Sequence, residues 1–235
     1  MKIVVTLPTY NEADNIEPLI HELLSLGPEV EVVVIDDNSP DGTWRIVQSI
    51  ATAQKRVHLI HRMNERGRGT AGLAGFIWAR DSGADAMVEM DADFSHQPSL
   101  IPMLLKPVRN GDADVVVGSR LVAGGGEKGR HPARRFITLG ANFYIRTVLG
   151  LKLRDCTSGF RVFGRKALET LPFERMTAKG PEIVQEIFWE GRKAGLRMIE
   201  LPITFEERRA GESTFNAHIM LRSIRYVFGL RFAHR

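Results

Sequence analysis

A single cysteine, Cys156, excludes an internal disulfide and any cysteine-built zinc site, and it fits a reducing compartment. No uncharged apolar run approaches the length of a membrane span. The opening Lys2-Ile3-Val4-Val5-Thr6-Leu7 reads as a strand without a signal-peptide pattern. The chain is therefore expected to be soluble or peripheral. Internal repeats and low-complexity segments are absent. The glycine-rich stretch Gly67 to Gly72 has neither the spacing of a P-loop nor that of a dinucleotide fingerprint. It reads as a turn that lets backbone approach a ligand. Charge of neither sign dominates: 32 Lys and Arg against 28 Asp and Glu give a formal net charge of +4. That mild excess suits an anionic substrate or membrane surface and calls for no nucleic acid.

With 235 residues, 43% hydrophobic and 26% charged, the chain has the make-up of an ordinary globular protein able to bury a full core. Ile3 to Leu7 predicts a buried strand. The helix after it carries Ile16, Leu19, Ile20, Leu23 and Leu24 on one face, with Asp14 or Asn15 as its cap and Gly27-Pro28 as its stop. Val30 to Ile35 is nearly all β-branched, as expected of a parallel strand covered on both faces. Helix Trp44 to Ala53, strand Val57 to Ile60, helix Ala71 to Ser82, strand Ala86 to Met90, helix Ser99 to Arg109 and strand Ala113 to Gly118 follow. This alternation predicts a doubly wound, mostly parallel α/β sheet. Ligands of such sheets sit beyond the carboxyl ends of the strands. Pro8 to Glu12, Asp36 to Asp41, Asp91 to Asp93 and Ser119-Arg120 all follow strands, so they are expected to gather along one edge.

Beyond Arg120 the pattern loosens. A basic segment with Arg130, Arg134 and Arg135 leads to a helix from Phe136 to Leu149, and Asp155 to Arg161 reads as a polar turn. Helix Arg165 to Leu171, a helix carrying Glu186, strand Met198 to Phe205 and a polar loop from Arg208 to Ser213 come next. In the closing helix, Ala217 to Phe232, apolar residues interleave with Arg222, Arg225 and Arg231. It reads either as an amphipathic helix at a membrane interface or as one packed on the core, the latter favoured for Ile219, Met220 and Ile224.

The chemistry concentrates in Met90-Asp91-Ala92-Asp93-Phe94-Ser95-His96-Gln97-Pro98. Residues two apart on a strand share a face, so Asp91 and Asp93 aim together if the extended backbone persists that far. Carboxylates so placed repel unless a cation lies between them. Hard oxygen donors favour Mg²⁺ or Mn²⁺, completed by substrate phosphates. An acidic turn after a buried strand is the plainer reading of this motif alone. His58, His61 and His96 lie on separate elements and are assigned to packing or surface roles, and Cys156 to a small buried residue.

Six stretches, read in order, resemble the family 2 glycosyltransferases, specifically the dolichyl- or polyprenyl-phosphate mannosyltransferases. They are Leu7 to Glu12, Asp36 to Thr43, Met90 to Pro98, Gly118-Ser119-Arg120, Thr157 to Arg161 and Gly211-Glu212-Ser213. The resemblance covers nearly the whole chain. It implies a GT-A-like fold over residues 1–235, with 1–120 binding the nucleotide-sugar, 121–215 on the acceptor side and 216–235 the amphipathic helix. It implies nucleotide contacts from Pro8, Tyr10, Glu12, Ile35 and Asp37. Asp91 and Ala92 would lie against the ribose or diphosphate, Asp93 would be the main ligand of Mg²⁺ or Mn²⁺, and Ser95 stands where some relatives carry a glutamine ligand. Arg120 and Arg208 would meet phosphate, making Asp93, Arg120 and Arg208 the catalytic set. Thr214 replaces a common lysine, and Pro181 a common aromatic residue.

The activity so implied is inverting transfer of mannose from GDP-mannose to a polyprenyl or dolichyl phosphate. The site would be at the cytoplasmic face of a membrane, reached peripherally or through a membrane-anchored partner. A UDP-sugar donor and a non-catalytic membrane-associated relative are the alternatives. A nucleotidyltransferase would need a glycine-rich basic signature where Pro8 to Glu12 stands.

Overall fold

The computed structural model describes residues 1–129, 132–206 and 217–232. The first half alternates without interruption: β1 (Ile3–Thr9), α1 (Ala13–Ser25), β2 (Val30–Asp36), α2 (Thr43–Ala53), β3 (Val57–His61), α3 (Arg68–Asp81), β4 (Ala86–Glu89), α4 (Ile101–Arg109) and β5 (Val115–Ser119). The second half adds β6 (Gly126–Glu127), α5 (Pro132–Leu149), β7 (Arg161–Gly164), α6 (Arg165–Thr170), α7 (Ile183–Lys193), β8 (Met198–Pro202), β9 (Thr204–Phe205) and α8 (Ala217–Phe232).

The main sheet has the order β3-β2-β1-β4-β7-β5-β8, while β6 and β9 pair separately. Every pairing in the main sheet is parallel except those of β7, which runs antiparallel to both β4 and β5. This is the doubly wound, mostly parallel architecture expected from the alternation. Strand side chains alternate between two cores. Val4, Val33 and Ile35 face α3, while Ile3, Val5, Leu7, Val32 and Val34 face Leu19, Ile20 and Leu23 of α1. Each fully buried aliphatic side chain stabilises the fold by about 1.5–3 kcal/mol of transfer free energy.

The register levels the carboxyl ends that carry the motifs. Thr9 pairs with Asp36 across β1 and β2, Thr6 pairs with Glu89 across β1 and β4, and Met90 N–H continues the ladder to Thr6 O at 3.3 Å. The stretch read as one strand from Met198 to Phe205 divides into β8 of the main sheet and β9 beside β6, and two further local expectations change. The α1 N-cap is Glu12 rather than Asp14 or Asn15, and it makes no side-chain cap. The hydroxyl of Thr43 accepts Glu12 N–H and the carboxylate of Asp41 accepts Ala13 N–H, each at 3.0 Å, so the neighbouring loop satisfies those donors. The second change is β7, in a stretch read as the end of a polar turn. Its four residues open with a charged side chain, too short and too polar to signal a strand.

Candidate active site

The first two motif loops are stitched together beneath the site. Asp36, with no exposed surface, accepts Thr9 Oγ1 at 2.9 Å, Ser39 N–H at 2.8 Å and Ser39 Oγ at 2.6 Å. Ser39 Oγ in turn accepts Asn11 N–H at 3.0 Å. Asn11 and Asn38 take left-handed backbone, with φ of 60° and 55°, a conformation asparagine tolerates better than most residues. Burial pushes Asp41 up, but hydrogen bonds from Thr43 and Ala13 outweigh it and hold the carboxyl below its ordinary range.

Of the side chains expected at the nucleotide, Pro8 pairs in register with Ile35, and Tyr10 is 36% exposed. The Arg66 guanidinium lies 3.8 Å over the Tyr10 ring. Glu12 Oε2 accepts Asn15 Nδ2 at 2.8 Å. Ile35 has no exposed side-chain surface and packs against α3 at Gly75, so a ligand beyond β2 would meet its main chain. Asp37 is nearly buried, with Arg62 Nε on Oδ1 at 2.7 Å and Gly67 N–H on Oδ2 at 2.8 Å. Asp37 thus anchors the glycine-rich loop.

In that loop the glycines serve a close approach within the chain itself. Gly67 has φ 146°, and a Cβ there would lie 2.6 Å from Lys179 O. A Cβ at Gly69 would lie 2.4 Å from Ala178 O, while Gly69 N–H donates to Lys179 O at 3.1 Å. The glycines let the start of α3 rest on residues 178–180.

Asp91 and Asp93 do not share a strand face. β4 ends at Glu89, and Phe94 turns the chain with φ 61°, so the paired carboxylates lie on a tight loop. Asp93 is 3% exposed, and its Oδ1 accepts Ser95 N–H at 3.0 Å. Ala92 is buried beside it. The Asp91 side chain is 31% exposed, and its Oδ1 accepts Arg68 Nη2 at 2.5 Å. Asp91 N–H donates to His96 Nδ1 at 3.1 Å, and the His96 ring stacks on Phe160 at 5.0 Å. Burial pushes the imidazole down, and the pull of Asp91 and Asp93 does not restore it. Behind this loop lies a buried ion network. Glu89 accepts Arg68 Nη1 at 3.3 Å and also pairs with Nη2 of Arg161; neither Glu89 nor Arg161 has exposed surface.

Arg120 reaches the same edge but is firmly engaged. Its Nε and Nη2 grip Asp155 at 2.7 and 2.8 Å, Nη2 also reaches Thr157 Oγ1 at 2.7 Å, and Nη1 lies 3.5 Å from Glu127. Burial disfavours both charges, yet the pairing more than offsets it: Arg120 is raised and Asp155 lowered from their usual ranges. Arg208, Arg130 and the Gly211-Glu212-Ser213-Thr214 loop lie outside the described residues.

The chemistry of the donor set tests whether a divalent cation suits this loop. Among the described residues no group of three or more His, Cys, Asp or Glu side chains forms a cage. A Mg²⁺ or Mn²⁺ held by one or two carboxylates and completed by ligand phosphates needs none. Ser95 Oγ is buried next to Asp93 and has no hydrogen-bond partner, which adds a third hard oxygen to the two carboxylates. The residues present fit such an ion.

Sequence reading missed Arg68, Glu89, Asp155 and Arg161, whereas His96, buried against Phe160, packs as it was read to. Glu89 carried a signal, as an acidic residue inside the apolar run of a central strand. The partners of that charge lie 21 and 72 residues away, a separation that no local pattern reveals.

Comparison with known proteins agrees with this arrangement. The profile of Glycosyl transferase family 2 matches residues 4–171. The undecaprenyl-phosphate mannosyltransferase of Micrococcus luteus is 38% identical over 220 residues, spanning 94% of this chain and 90% of that protein. The polyprenol monophosphomannose synthase of Mycolicibacterium smegmatis is 38% identical over 213 residues, spanning 90% and 80%. Among solved structures, glucosyl-3-phosphoglycerate synthase from Mycobacterium tuberculosis, in complex with Mn²⁺, UDP-glucose and phosphoglyceric acid, superposes with a TM-score of 0.68. It is 22% identical and is matched over 99% of this chain and 79% of that one, a likeness of fold. A sheet edge of acidic loops on a GT-A-like scaffold, a profile over most of the chain and relatives matched nearly end to end have one explanation: the chain belongs to glycosyl transferase family 2.

Proposed function

We propose that this glycosyltransferase moves mannose from GDP-mannose to a polyprenyl or dolichyl phosphate, with inversion at the anomeric carbon. The observation that carries the reading is the tight loop after β4 that holds Asp91, Asp93 and the buried, unpartnered Ser95 hydroxyl, in a chain related over nine-tenths of its length to mannosyltransferases of this kind.

Pro8, Tyr10, Glu12, the main chain at Ile35, Asp37 and the Asp91-Ala92 segment are assigned to the nucleotide and ribose. Asp93, with Asp91 and Ser95, is assigned to Mg²⁺ or Mn²⁺. That ion, when bound, neutralises charge on the departing diphosphate. The chain's own work is to orient and to balance charge. Arg120 and Arg208 are assigned to supply positive charge to the phosphates. The acceptor, a phosphate monoester, is already largely ionised at pH 7, its second pKa being about 6, so attack needs little proton transfer. Its oxygen bonds to the anomeric carbon as the bond to the diphosphate oxygen breaks on the opposite face. An α-linked donor gives a β-linked product, and alignment supplies much of the rate.

The acceptor's lipid calls for a membrane surface, and two neighbouring helices supply one. α5 packs against α8, where Val227 and Leu230 are buried and Tyr144 OH donates to Ile224 O at 3.0 Å. The outer side exposes Phe136, Ile137, Leu139 and Phe143 of α5 with Leu221, Ile224, Phe228 and Phe232 of α8. Exposed Arg134, Arg135, Arg225 and Arg231 share these helices. Apolar residues fringed by arginine suit an anionic bilayer. No helix among the described residues is long and apolar enough to cross one. We assign this face to peripheral contact at the cytoplasmic leaflet.

The test is transfer of labelled mannose from GDP-mannose to polyprenyl phosphate in detergent or liposomes, with UDP-glucose as the rival donor. Mannolipid formation that is lost with EDTA and regained with Mn²⁺ or Mg²⁺ is expected. Transfer from UDP-glucose alone, or transfer indifferent to chelator, overturns the reading.

A further inference from the structure

Arg68 is the first residue of α3, and its guanidinium spans two carboxylates, Glu89 at 3.3 Å and Asp91 at 2.5 Å. The two bonds differ in setting. Glu89 is sealed in the interior and already paired with the equally sealed Arg161. The Arg68 and Asp91 side chains are 29% and 31% exposed. Of the two bonds, the one that solvent or a ligand can reach is Arg68–Asp91. Passage for this side chain is cleared by glycine: a Cβ at Gly159 would lie 2.9 Å from Arg68 Nη2, and one at Gly72 would lie 3.3 Å from Glu89 Oε1. Arg120, by contrast, has its fork closed by Asp155 and Thr157.

We propose that Arg68 is a tethered counter-cation for Asp91, released to a nucleoside diphosphate, so that divalent cation and nucleotide bind as a pair rather than singly. The inference rests on the functional reading above and adds an order to it. A metal ion approaching Asp91 alone meets the guanidinium charge at close range and is repelled. A diphosphate offers Arg68 an anion in place of Asp91, frees that carboxylate for the metal and supplies the remaining oxygens. Each ligand then raises the affinity for the other by one common factor. Arg68 is accordingly a donor-site residue that serves Asp91 in the empty site and the diphosphate in the filled one, kept in reach by its bond to Glu89.

Calorimetric titration of the full chain tests this with Mn²⁺ alone, with GDP or UDP in EDTA, and with each nucleotide in saturating Mn²⁺. Wild-type protein should bind Mn²⁺ weakly alone and at least about tenfold more tightly with the preferred nucleotide. Losing one charge-assisted contact in Arg68→Met should tighten Mn²⁺ alone and weaken GDP alone, each by about tenfold, and erase much of the coupling. Gly159→Ala keeps the charge but crowds the guanidinium, and should shift Mn²⁺ binding the same way by less. Arg68→Lys cannot span both carboxylates and should also lower the coupling, which keeps the test open if Arg68→Met does not fold.

Opposed signs for the two ligands identify the counter-cation, because a prop for the fold would weaken both together. Mn²⁺ binding unchanged or weakened in Arg68→Met, or coupling unchanged in Arg68→Lys, overturns the inference and leaves the transferase reading standing. A wild-type protein that binds neither nucleotide with Mn²⁺ overturns both.

Discussion

At the scale of single residues, the site is built from charges whose partners are fixed, and each pairing has a measurable consequence. Asp93→Ala should abolish metal-dependent nucleotide binding and reduce turnover by at least about a hundredfold, the order of other electrostatic deletions at developing charge. Circular dichroism and the melting temperature should change little, because the side chain lies on a loop beyond β4. Asp155→Ala should act differently, since it leaves the Arg120 charge buried without its bidentate partner. A loss of about 3–5 kcal/mol is expected, read from the urea midpoint. Asp114 gives a pH signature away from the site. Burial pushes its carboxyl up, but Arg197 and Lys166 outweigh this and bring it to about 2, from an ordinary 3.8. A depressed folded value means the stabilisation is full above pH 4 and fades as pH falls toward 2. Melting temperatures should fall over that window in the wild type and less steeply in Asp114→Asn.

At the scale of elements, most of the fold was legible because period-two and period-3.6 patterns encode it directly. β1, β2, α1 and α2 fall close to where apolar periodicity puts them. The motif residues were legible as loops after strands, and their expected gathering along one edge came from the rule that ligands of such sheets lie beyond the carboxyl ends of the strands. What local pattern does not encode is long-range pairing: β7 between β4 and β5, Arg161 beneath Glu89, Asp155 around Arg120. The closing helix shows the same limit. Sequence favoured burial of Ile224, which is 40% exposed, whereas Val227 and Leu230 do the packing. Two predictions belong here. Replacing Phe136, Phe143, Phe228 and Phe232 together with serine should cut sedimentation with anionic liposomes severalfold and leave Mn²⁺–GDP binding intact. Gly69→Ala forces a Cβ against the carbonyl of Ala178. It should cost at least about 1–3 kcal/mol, again read from the urea midpoint, and should loosen the start of α3 in hydrogen exchange.

At the scale of the whole molecule, the proposed donor site and the proposed lipid-contacting face are carried by different elements around one sheet. The acidic loops follow the carboxyl ends of β1, β2 and β4, while α5 and α8 carry the apolar face. Antiparallel β7, from the second half of the chain, lies between two strands of the first half, hydrogen-bonded on one side to β4 and on the other to β5. A fragment ending after Arg120 would lose that middle strand, leaving β4 and β5 with bare edges in what had been the interior, and Glu89 without its fully buried cation. Such a truncation should aggregate rather than survive as a nucleotide-binding unit, and co-expression with the missing piece should restore solubility. Evolution can trade loops on this scaffold freely, but it cannot swap one half for another without re-weaving the centre of the fabric.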